Sequence, residues 1–188
     1  MNPDKFNNKY RIPSARLQTW DYGSNGSYFI TICTKNRFHY FGEIDNNEML
    51  LNDSGKIAEH YWEQIPIHFN FIELGNFTVM PNHIHGILIV NKLEMVSSEQ
   101  TRHLTLSKNI EQKTAGQKRV RNQGKNTISS IVGSYKSIVS KKIHINQTEF
   151  EWQTRFHDHI INDAKSFENI QNYIANNPLN WKNDKFYN

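Results

Sequence analysis

Residues 77–90 constrain the fold of this chain more than any other stretch. They include Met80-Pro81-Asn82, a tripeptide typical of a turn, which separates a segment over 71–80 from one over 84–90. Both segments are long enough for strands, and the second is almost wholly apolar and β-branched. Because the connection between them is so short, we expect an antiparallel pair, and the rest of the chain has to form a sheet around it.

Two histidines, His83 and His85, begin the second of these segments with one apolar residue between them. Side chains alternate across a strand, so both imidazoles are expected on one face, where they can share a metal ion. Because the turn precedes them, we expect the pair at the mouth of a central strand, where a site can be open to solvent. The chain has nine histidines, so a chance pair of structural histidines is the alternative interpretation.

The length and composition of the chain favour one domain spanning 1–188, with an irregular N-terminal segment over 1–26. Cys33 is the single cysteine, which excludes a disulfide framework or a cysteine zinc site within one chain and suits a reducing cytoplasm. The N-terminus lacks a signal-peptide pattern, and no apolar run in the sequence approaches the length of a membrane span. We therefore expect no membrane partner.

Basic charge is concentrated in one segment. Residues 102–142 contain ten Lys and Arg and one acidic residue, a net charge of +9, whereas the remainder of the chain has a net charge of −5. Such an imbalance indicates a polyanionic partner, and a merely solvated loop is the alternative. Residues 92–126 are polar and lack periodicity, so we interpret them as a long basic loop insertion.

The periodicity of the remaining segments predicts seven main elements. In chain order they are a strand over 28–34, a helix from about 52 that Pro66 stops, the strands over 71–80 and 84–90, a helix over 128–143, a strand over 150–161, and a helix that starts at Asp163 and ends before Pro178. A short hairpin is expected over 41–51. This order predicts an α+β, ferredoxin-like fold: a four-stranded antiparallel sheet with two helices on one face plus an additional C-terminal helix.

The last helix carries polar groups beside its apolar stripe. Phe167, Ile170 and Ile174 form that stripe at helical spacing. Tyr173 and Asn177 are four residues apart and therefore share one flank of the stripe, neither in the core nor fully in solvent. A hydroxyl nucleophile and a neutral oxygen ligand are thus expected along a single edge.

Two motifs together resemble a known family. Met80-Pro81-Asn82-His83-Ile84-His85-Gly86 resembles the His-hydrophobic-His (HUH) motif of single-tyrosine transposases, and Tyr173-Ile174-Ala175-Asn176-Asn177-Pro178 resembles their catalytic helix. The pattern is most similar to REP-associated tyrosine transposases, relatives of bacterial insertion-sequence transposases. The likeness extends over roughly residues 10–181. It includes residues 28–34, 41–44, 133–137 and 158–161. One departure is Gly75-Asn76, where relatives often have an acidic pair.

The resemblance implies a single HUH transposase domain with a catalytic C-terminal helix. His83, His85 and Asn177 match the residues that bind a divalent metal, for which Mg²⁺ or Mn²⁺ suits two imidazoles and an amide oxygen. Tyr173 matches the nucleophile that attacks a DNA phosphodiester and becomes 5′-phosphotyrosyl-linked. The implied function is that of an endonuclease and strand transferase for single-stranded or hairpin DNA. The expected setting is the bacterial cytoplasm, at the nucleoid, as a monomer or homodimer.

Other residues are candidates for catalysis, metal binding or DNA contact, and for several of them a structural role is the alternative. Tyr135 is a rival nucleophile, but it lies within the apolar stripe of its helix, which favours a core position. His157 and His159 are a second pair with ligand spacing, for which structural or DNA-contacting roles are favoured. The candidate DNA contacts are Arg11, Lys118, Arg119, Arg121, Lys136 and His159.

Three alternatives to this function stay open at the level of sequence. A mobile insertion-sequence transposase would share the chemistry and differ in its flanking DNA. A catalytically silent nucleic-acid-binding protein would keep the fold and the basic loop. A plasmid replication-initiator nuclease would share the histidine motif.

Overall fold

A four-stranded antiparallel sheet is the centre of the fold. The computed structural model describes residues 20–92 and 124–187, and the backbone alone of residues 5, 6, 9 and 10. In chain order the elements are β1 (Lys5–Phe6), β2 (Lys9–Tyr10), β3 (Gly26–Cys33), β4 (Gly42–Asp45), β5 (Glu48–Leu51), α1 (Asp53–Glu63), α2 (Ile65–His68), β6 (Ile72–Met80), β7 (His83–Val90), α3 (Ile128–Ile143), β8 (His157–Ile161) and α4 (Ala164–Ala175).

The strand order confirms the predicted topology. The sheet runs β6-β7-β3-β8, and each neighbouring pair is antiparallel. With α1 between β3 and β6 and α3 between β7 and β8, the connectivity is β-α-β-β-α-β. This is the ferredoxin-like arrangement, and the α+β class is therefore as predicted.

The helices α1 and α3 cover one face of the sheet and enclose the main core. From the sheet, alternate residues Tyr28, Ile30 and Ile32 of β3 enter this core and are fully buried. The apolar stripe predicted for α3 is buried against them. Thr127 caps α3 in a reciprocal pair with Ser130, which satisfies amide groups at the start of the helix.

The C-terminal helix α4 lies on the opposite face. Ile174 packs there with Ile87 and Ile161. A bulge in β6 fastens the helix, because the Asn76 amide N–H donates to Gln171 Oε1 at 2.7 Å and its side chain donates to the Gln171 carbonyl at 3.2 Å. Asn76, the second residue of the Gly75-Asn76 pair noted in the sequence, thus holds α4 to the sheet.

Gly86, directly after the second histidine, lets α1 approach β7 closely. A Cβ atom at this position would lie 2.3 Å from Cζ2 of Trp62 and 3.0 Å from Cβ of Phe77. Trp62 is fully buried and stacks on Phe77. Since Gly86 faces α1, the alternation along β7 places His83 and His85 on the other face, the one that α4 covers.

The predicted strand over 150–161 is wrong in length. Only His157–Ile161 pairs with β3, and Trp152 makes a single isolated bridge to Thr34. The reason is packing, since the Trp152 ring lies against Phe150 at a centroid distance of 5.0 Å and belongs to an aromatic cluster. The aromatic packing of Trp152, and not continued pairing with β3, therefore positions the chain before β8.

The other boundaries require smaller corrections. Helix α1 ends at Glu63, before Pro66, which lies in the first turn of α2, where its missing N–H costs no hydrogen bond. The N-terminal segment includes the short β1–β2 pair, and β3 begins within it at Gly26. The predicted hairpin is confirmed as β4–β5, with Asn46 and Asn47 at positive φ in its turn.

Most of the loop predicted over 92–126 lies outside the described residues. Among the helices that the structure describes, none is both long and apolar enough to cross a membrane.

Candidate active site

His83 and His85 project side by side from the first residues of β7. Their ring centroids are 4.4 Å apart, and the exposed fractions of the side chains are 0% and 1%. The pair therefore lies at the mouth of the strand, as expected, but the site there is not open to solvent. The pair shares one face, as the alternation predicts, but it lies beneath other residues.

Each imidazole is held through its Nδ1 atom. Asn82 Oδ1 lies 2.8 Å from Nδ1 of His83, and Thr31 Oγ1 lies 2.9 Å from Nδ1 of His85. Thr31 is directly opposite His85 in the β3–β7 register. Both Nε2 atoms are thereby directed toward α4 and the C-terminal segment.

Helix α4 brings the Tyr173 hydroxyl to the histidines. Its oxygen lies 3.2 Å from Nε2 of His85, and its ring meets Phe29 edge-on at a centroid distance of 6.1 Å. Tyr173 is 41% exposed. The side chain therefore occupies the flank position that the helical spacing predicts, with its hydroxyl at the site and part of its ring in solvent.

Asn177 lies two residues beyond the end of α4 and is more buried than its flank position predicts, at 1% exposure. Its Nδ2 donates to Oδ2 of Asp184 at 2.9 Å. Its Oδ1 is buried and has no hydrogen-bond partner of normal geometry among the described residues, and the same is true of Nε2 of His83. Two potential ligand atoms thus stand unsatisfied in one site.

Asp184 is a site residue that sequence reasoning missed. Its Oδ2 accepts hydrogen bonds from the Tyr173 hydroxyl at 3.1 Å and from Asn177. The ligand atoms of His83, His85 and Asp184 all lie within 4.8 Å of one another. Asp184 lies after Pro178, beyond the last periodic segment, so no pattern in the sequence marks it.

The C-terminal segment 184–187 covers the histidines. The Phe186 ring lies 4.6 Å from the ring of His83 and 5.7 Å from that of His85, measured between centroids. Its carbonyl accepts from Asn82 Nδ2 at 2.9 Å, and Arg37 Nη1 donates to the preceding carbonyl, of Lys185, at 2.9 Å. These contacts explain why the site is buried.

The electrostatics of the site favour neutral imidazoles and a protonated tyrosine. Burial, with the nearby charges of Lys185 and Arg37, lowers the pKa of His83 to about 3, and the adjacent Asn177 side chain, although outside normal hydrogen-bond geometry, opposes this shift. Burial also lowers the pKa of His85 well below its usual value. Burial first, and then the Asp184 carboxylate, raises the pKa of Tyr173 to about 12.

The donor set fits a divalent cation. Two neutral imidazole nitrogens and the Asp184 carboxylate converge, and Asn177, which is hydrogen-bonded to that carboxylate, adds a buried amide oxygen without a partner. A mixed nitrogen and oxygen set suits Mn²⁺ well, and Mg²⁺ prefers its oxygen members. The residues that could hold the ion are His83, His85, Asn177 and Asp184.

The predicted DNA contacts are distributed over different parts of the chain. His159 is exposed and stands opposite Phe29 in the β3–β8 register. It therefore lies on the face of the sheet that packs against α4, the helix of Tyr173. Its partner in spacing, His157, is exposed on the same face. Lys136 belongs to α3 on the other face, where its Nζ donates to the Gln153 carbonyl. Arg11, Lys118, Arg119 and Arg121 lie outside the described residues.

The rival tyrosine is remote from this chemistry. Tyr135 is buried in the α1–α3 core, and its hydroxyl donates to the Ala58 carbonyl at 2.8 Å. Burial raises its pKa well above the usual value. The structure therefore places one helical tyrosine at the histidines and the other on the opposite face of the sheet.

Comparison with known proteins defines first the fold and then the family. No family model matches the chain. The solved structure of a REP-associated tyrosine transposase bound to a REP hairpin superimposes with a TM-score of 0.54 and 17% identity, over 90% of this chain and 74% of that one. This protein therefore has the fold of that transposase.

Two further relatives complete the comparison. A Deinococcus radiodurans protein assigned as a transposase aligns with 14% identity over 88% of this chain and 96% of its own, but with a TM-score of 0.45 it carries no weight here. An uncharacterized protein of Haemophilus influenzae is 39% identical over 176 residues, which is 93% of this chain and 92% of the relative. The chain belongs to the same protein family as that Haemophilus protein.

Proposed function

We propose that this protein is a metal-dependent endonuclease and strand transferase for single-stranded or hairpin DNA, with Tyr173 as its nucleophile. The observation that carries the proposal is the convergence of the Tyr173 hydroxyl with His83, His85, Asn177 and Asp184 on one face of the sheet. A hydroxyl beside a set of metal ligands is the arrangement that phosphoryl transfer to a side chain requires.

The covalent step is a transesterification. The Tyr173 oxygen attacks a DNA phosphorus, a P–O bond to Tyr173 forms, and the bond to the 3′ oxygen of the preceding nucleotide breaks. That oxygen leaves as a free 3′ hydroxyl, and the downstream strand stays joined to Tyr173 through its 5′ phosphate. Attack by a 3′ hydroxyl on this phosphotyrosine reverses the step, so strand joining needs no further energy source.

A divalent cation, when bound, supplies the positive charge that polarises the scissile phosphate. His83, His85, Asn177 and Asp184 are the residues that would hold it. Asp184 also accepts the hydrogen of the Tyr173 hydroxyl, so its carboxylate orients the nucleophile and stands ready to receive its proton.

Access to this site requires movement of the C-terminal segment. The histidine side chains are 0% and 1% exposed, and Phe186 lies over both rings. A DNA phosphate therefore reaches the ligand atoms only when Phe186 shifts. Tyr173, at 41% exposure, already borders solvent and marks the side from which the strand enters.

The nucleic-acid partner follows from charge and fold together. Segment 102–142 carries a net charge of +9 in an otherwise acidic chain, and basic segments of this kind bind phosphates. The solved transposase with the same fold is bound to a REP hairpin. We therefore propose hairpin DNA as the substrate class, met in the bacterial cytoplasm.

The test compares two tyrosine variants. Tyr173→Phe should abolish the covalent protein–DNA adduct on a denaturing gel after incubation with labelled hairpin DNA and Mn²⁺, while folding and DNA binding persist. Tyr135→Phe is the matched control and should retain the adduct, losing about 1 kcal/mol of stability with its buried hydrogen bond to Ala58. A covalent band from Tyr173→Phe would remove Tyr173 from the mechanism.

A further inference from the structure

His83 and His85 are held by chemically different groups. The partner of His83 Nδ1 is an amide oxygen of Asn82, which can only accept a hydrogen bond. The partner of His85 Nδ1 is the Thr31 hydroxyl, which can either donate or accept. Because a neutral imidazole carries its hydrogen on one nitrogen only, these partners determine which nitrogen is free to bind a cation.

Asn82 fixes the tautomer of His83. Its Nδ2 donates to the carbonyls of Phe186 at 2.9 Å and Arg37 at 3.3 Å, so its oxygen has to face His83. His83 Nδ1 therefore carries the hydrogen, and Nε2 presents a lone pair. That lone pair is the buried atom found without a partner of normal geometry.

His85 is in the opposite state. The Tyr173 hydroxyl has one hydrogen, and it donates this hydrogen to Oδ2 of Asp184 at 3.1 Å, since a carboxylate only accepts. The contact of 3.2 Å between Tyr173 and His85 Nε2 is then a hydrogen bond donated by the imidazole. With its hydrogen on Nε2, His85 accepts at Nδ1 from Thr31.

We propose that Asn82 and Thr31 are positioning residues that hold the two histidines in different tautomers and so give them different roles in cation binding. This inference rests on the proposed function. Asn82 presets His83 as a ligand. Thr31 allows His85 to exchange between holding Tyr173 and binding the cation, because its hydroxyl reverses from donor to acceptor. The ring hydrogen moves from Nε2 to Nδ1 of the same imidazole, and no charge is gained or lost.

The exchange couples metal binding to release of the nucleophile. As the Nε2 lone pair of His85 becomes available to a cation, Tyr173 loses the hydrogen bond that the same nitrogen donated. Its oxygen keeps Asp184 as the acceptor of its own hydrogen. The Tyr173 oxygen is thereby left with a free lone pair when the ligand set is complete.

The first test reads the tautomers in the full chain without metal, by long-range ¹H–¹⁵N correlation NMR of the histidine side chains. We expect hydrogen on Nδ1 of His83 and on Nε2 of His85. Addition of Zn²⁺, a diamagnetic probe, should convert His85 to the Nδ1–H form. A common tautomer for both rings before metal addition would overturn the inference.

The second test uses two substitutions at one position. Thr31→Val removes the hydroxyl at nearly constant shape, and Thr31→Ser retains it. Mn²⁺ affinity by calorimetry should fall about 10–100-fold in the Val variant, the usual effect of losing a partner that orients a ligand, and recover in the Ser variant. Equal affinity in the Val variant and the unmodified chain contradicts the inference. If the Val variant does not fold, the unmodified chain's NMR spectrum decides.

The proposed function and the positioning roles of Asn82 and Thr31 are tested separately. A chain that shows the expected tautomers but forms no DNA adduct refutes the proposed function and leaves the assignment of Thr31 and Asn82 in place. A chain that forms the adduct while both histidines share one tautomer refutes the positioning roles and leaves the proposed function standing.

Discussion

Replacement of Gly86 by Ala tests the packing that presents the two histidines. The added Cβ would lie 2.3 Å from Cζ2 of Trp62 and 3.0 Å from Cβ of Phe77, far inside contact distance. Trp62 is fully buried, and its ring contacts those of Phe77 and Tyr135, so any shift of Trp62 disturbs its neighbours in the core. Overpacking of a core costs about 1–3 kcal/mol, and a clash with a fixed ring belongs at the upper end, about 3 kcal/mol.

The expected loss is measurable by calorimetry. In a chain of 188 residues, 1 kcal/mol corresponds to about 2–4 °C in Tm, so Gly86→Ala should lower Tm by about 6–12 °C. The matched control is Gly133→Ala on α3, where a Cβ meets nothing within 4 Å. Gly133→Ala should stabilise by about 0.4–1 kcal/mol. Equal Tm values for the two variants would refute this account of the close approach between α1 and β7.

Two further predictions concern protonation and charge at the site. The folded-state pKa of His83, about 3, lies below its unfolded value of 6.5, so its contribution to stability is complete above pH 6.5 and is lost as pH falls toward 3. The Tm of the metal-free protein should therefore decrease between pH 7 and 4.5, and decrease less in His83→Gln; parallel pH curves would contradict this. Asp184→Asn removes a charge that raises the pKa of Tyr173, so that pKa should fall below about 12, and Mn²⁺ affinity should weaken. The Cζ chemical shift of ¹³C-labelled tyrosine, compared with Tyr173→Phe, measures the first effect, and an unchanged titration would count against it.

The fold was predictable because its patterns are local. The strand period in residues 71–90, the apolar stripe of α3 and the caps at Asn52 and Asp163 are each determined by nearby residues, and together they define the topology. The strand over 150–161 was predicted too long because contacts with residues distant in sequence decide its course. Trp152 bonds through its indole N–H to the Lys136 carbonyl and packs with Phe41 and Phe150, which no local pattern reveals.

The candidate site likewise has features that the local sequence determines and features that depend on the whole fold. Strand spacing places His83 and His85 on one face, as predicted. Helical spacing predicts Tyr173 and Asn177 on one flank, but Asn177 lies beyond the end of α4 and is buried. That the two pairs meet follows from the fold as a whole. The burial of the site and the position of Asp184 depend on the C-terminal segment, which the 3₁₀ turn Trp181–Asn183 directs back over the histidines. A turn of this kind carries no periodic signal in the sequence.

The most direct test of the central claim is the chemical identity of the residue that becomes linked to DNA. The adduct formed with hairpin DNA and Mn²⁺ is digested with nuclease and trypsin and then sequenced by tandem mass spectrometry. We predict a nucleotide joined through its 5′ phosphate to Tyr173, in the tryptic peptide that follows Lys165 and ends at Lys182. Attachment to any other residue, or the absence of an adduct from a folded protein that binds both the metal and the hairpin, would contradict it.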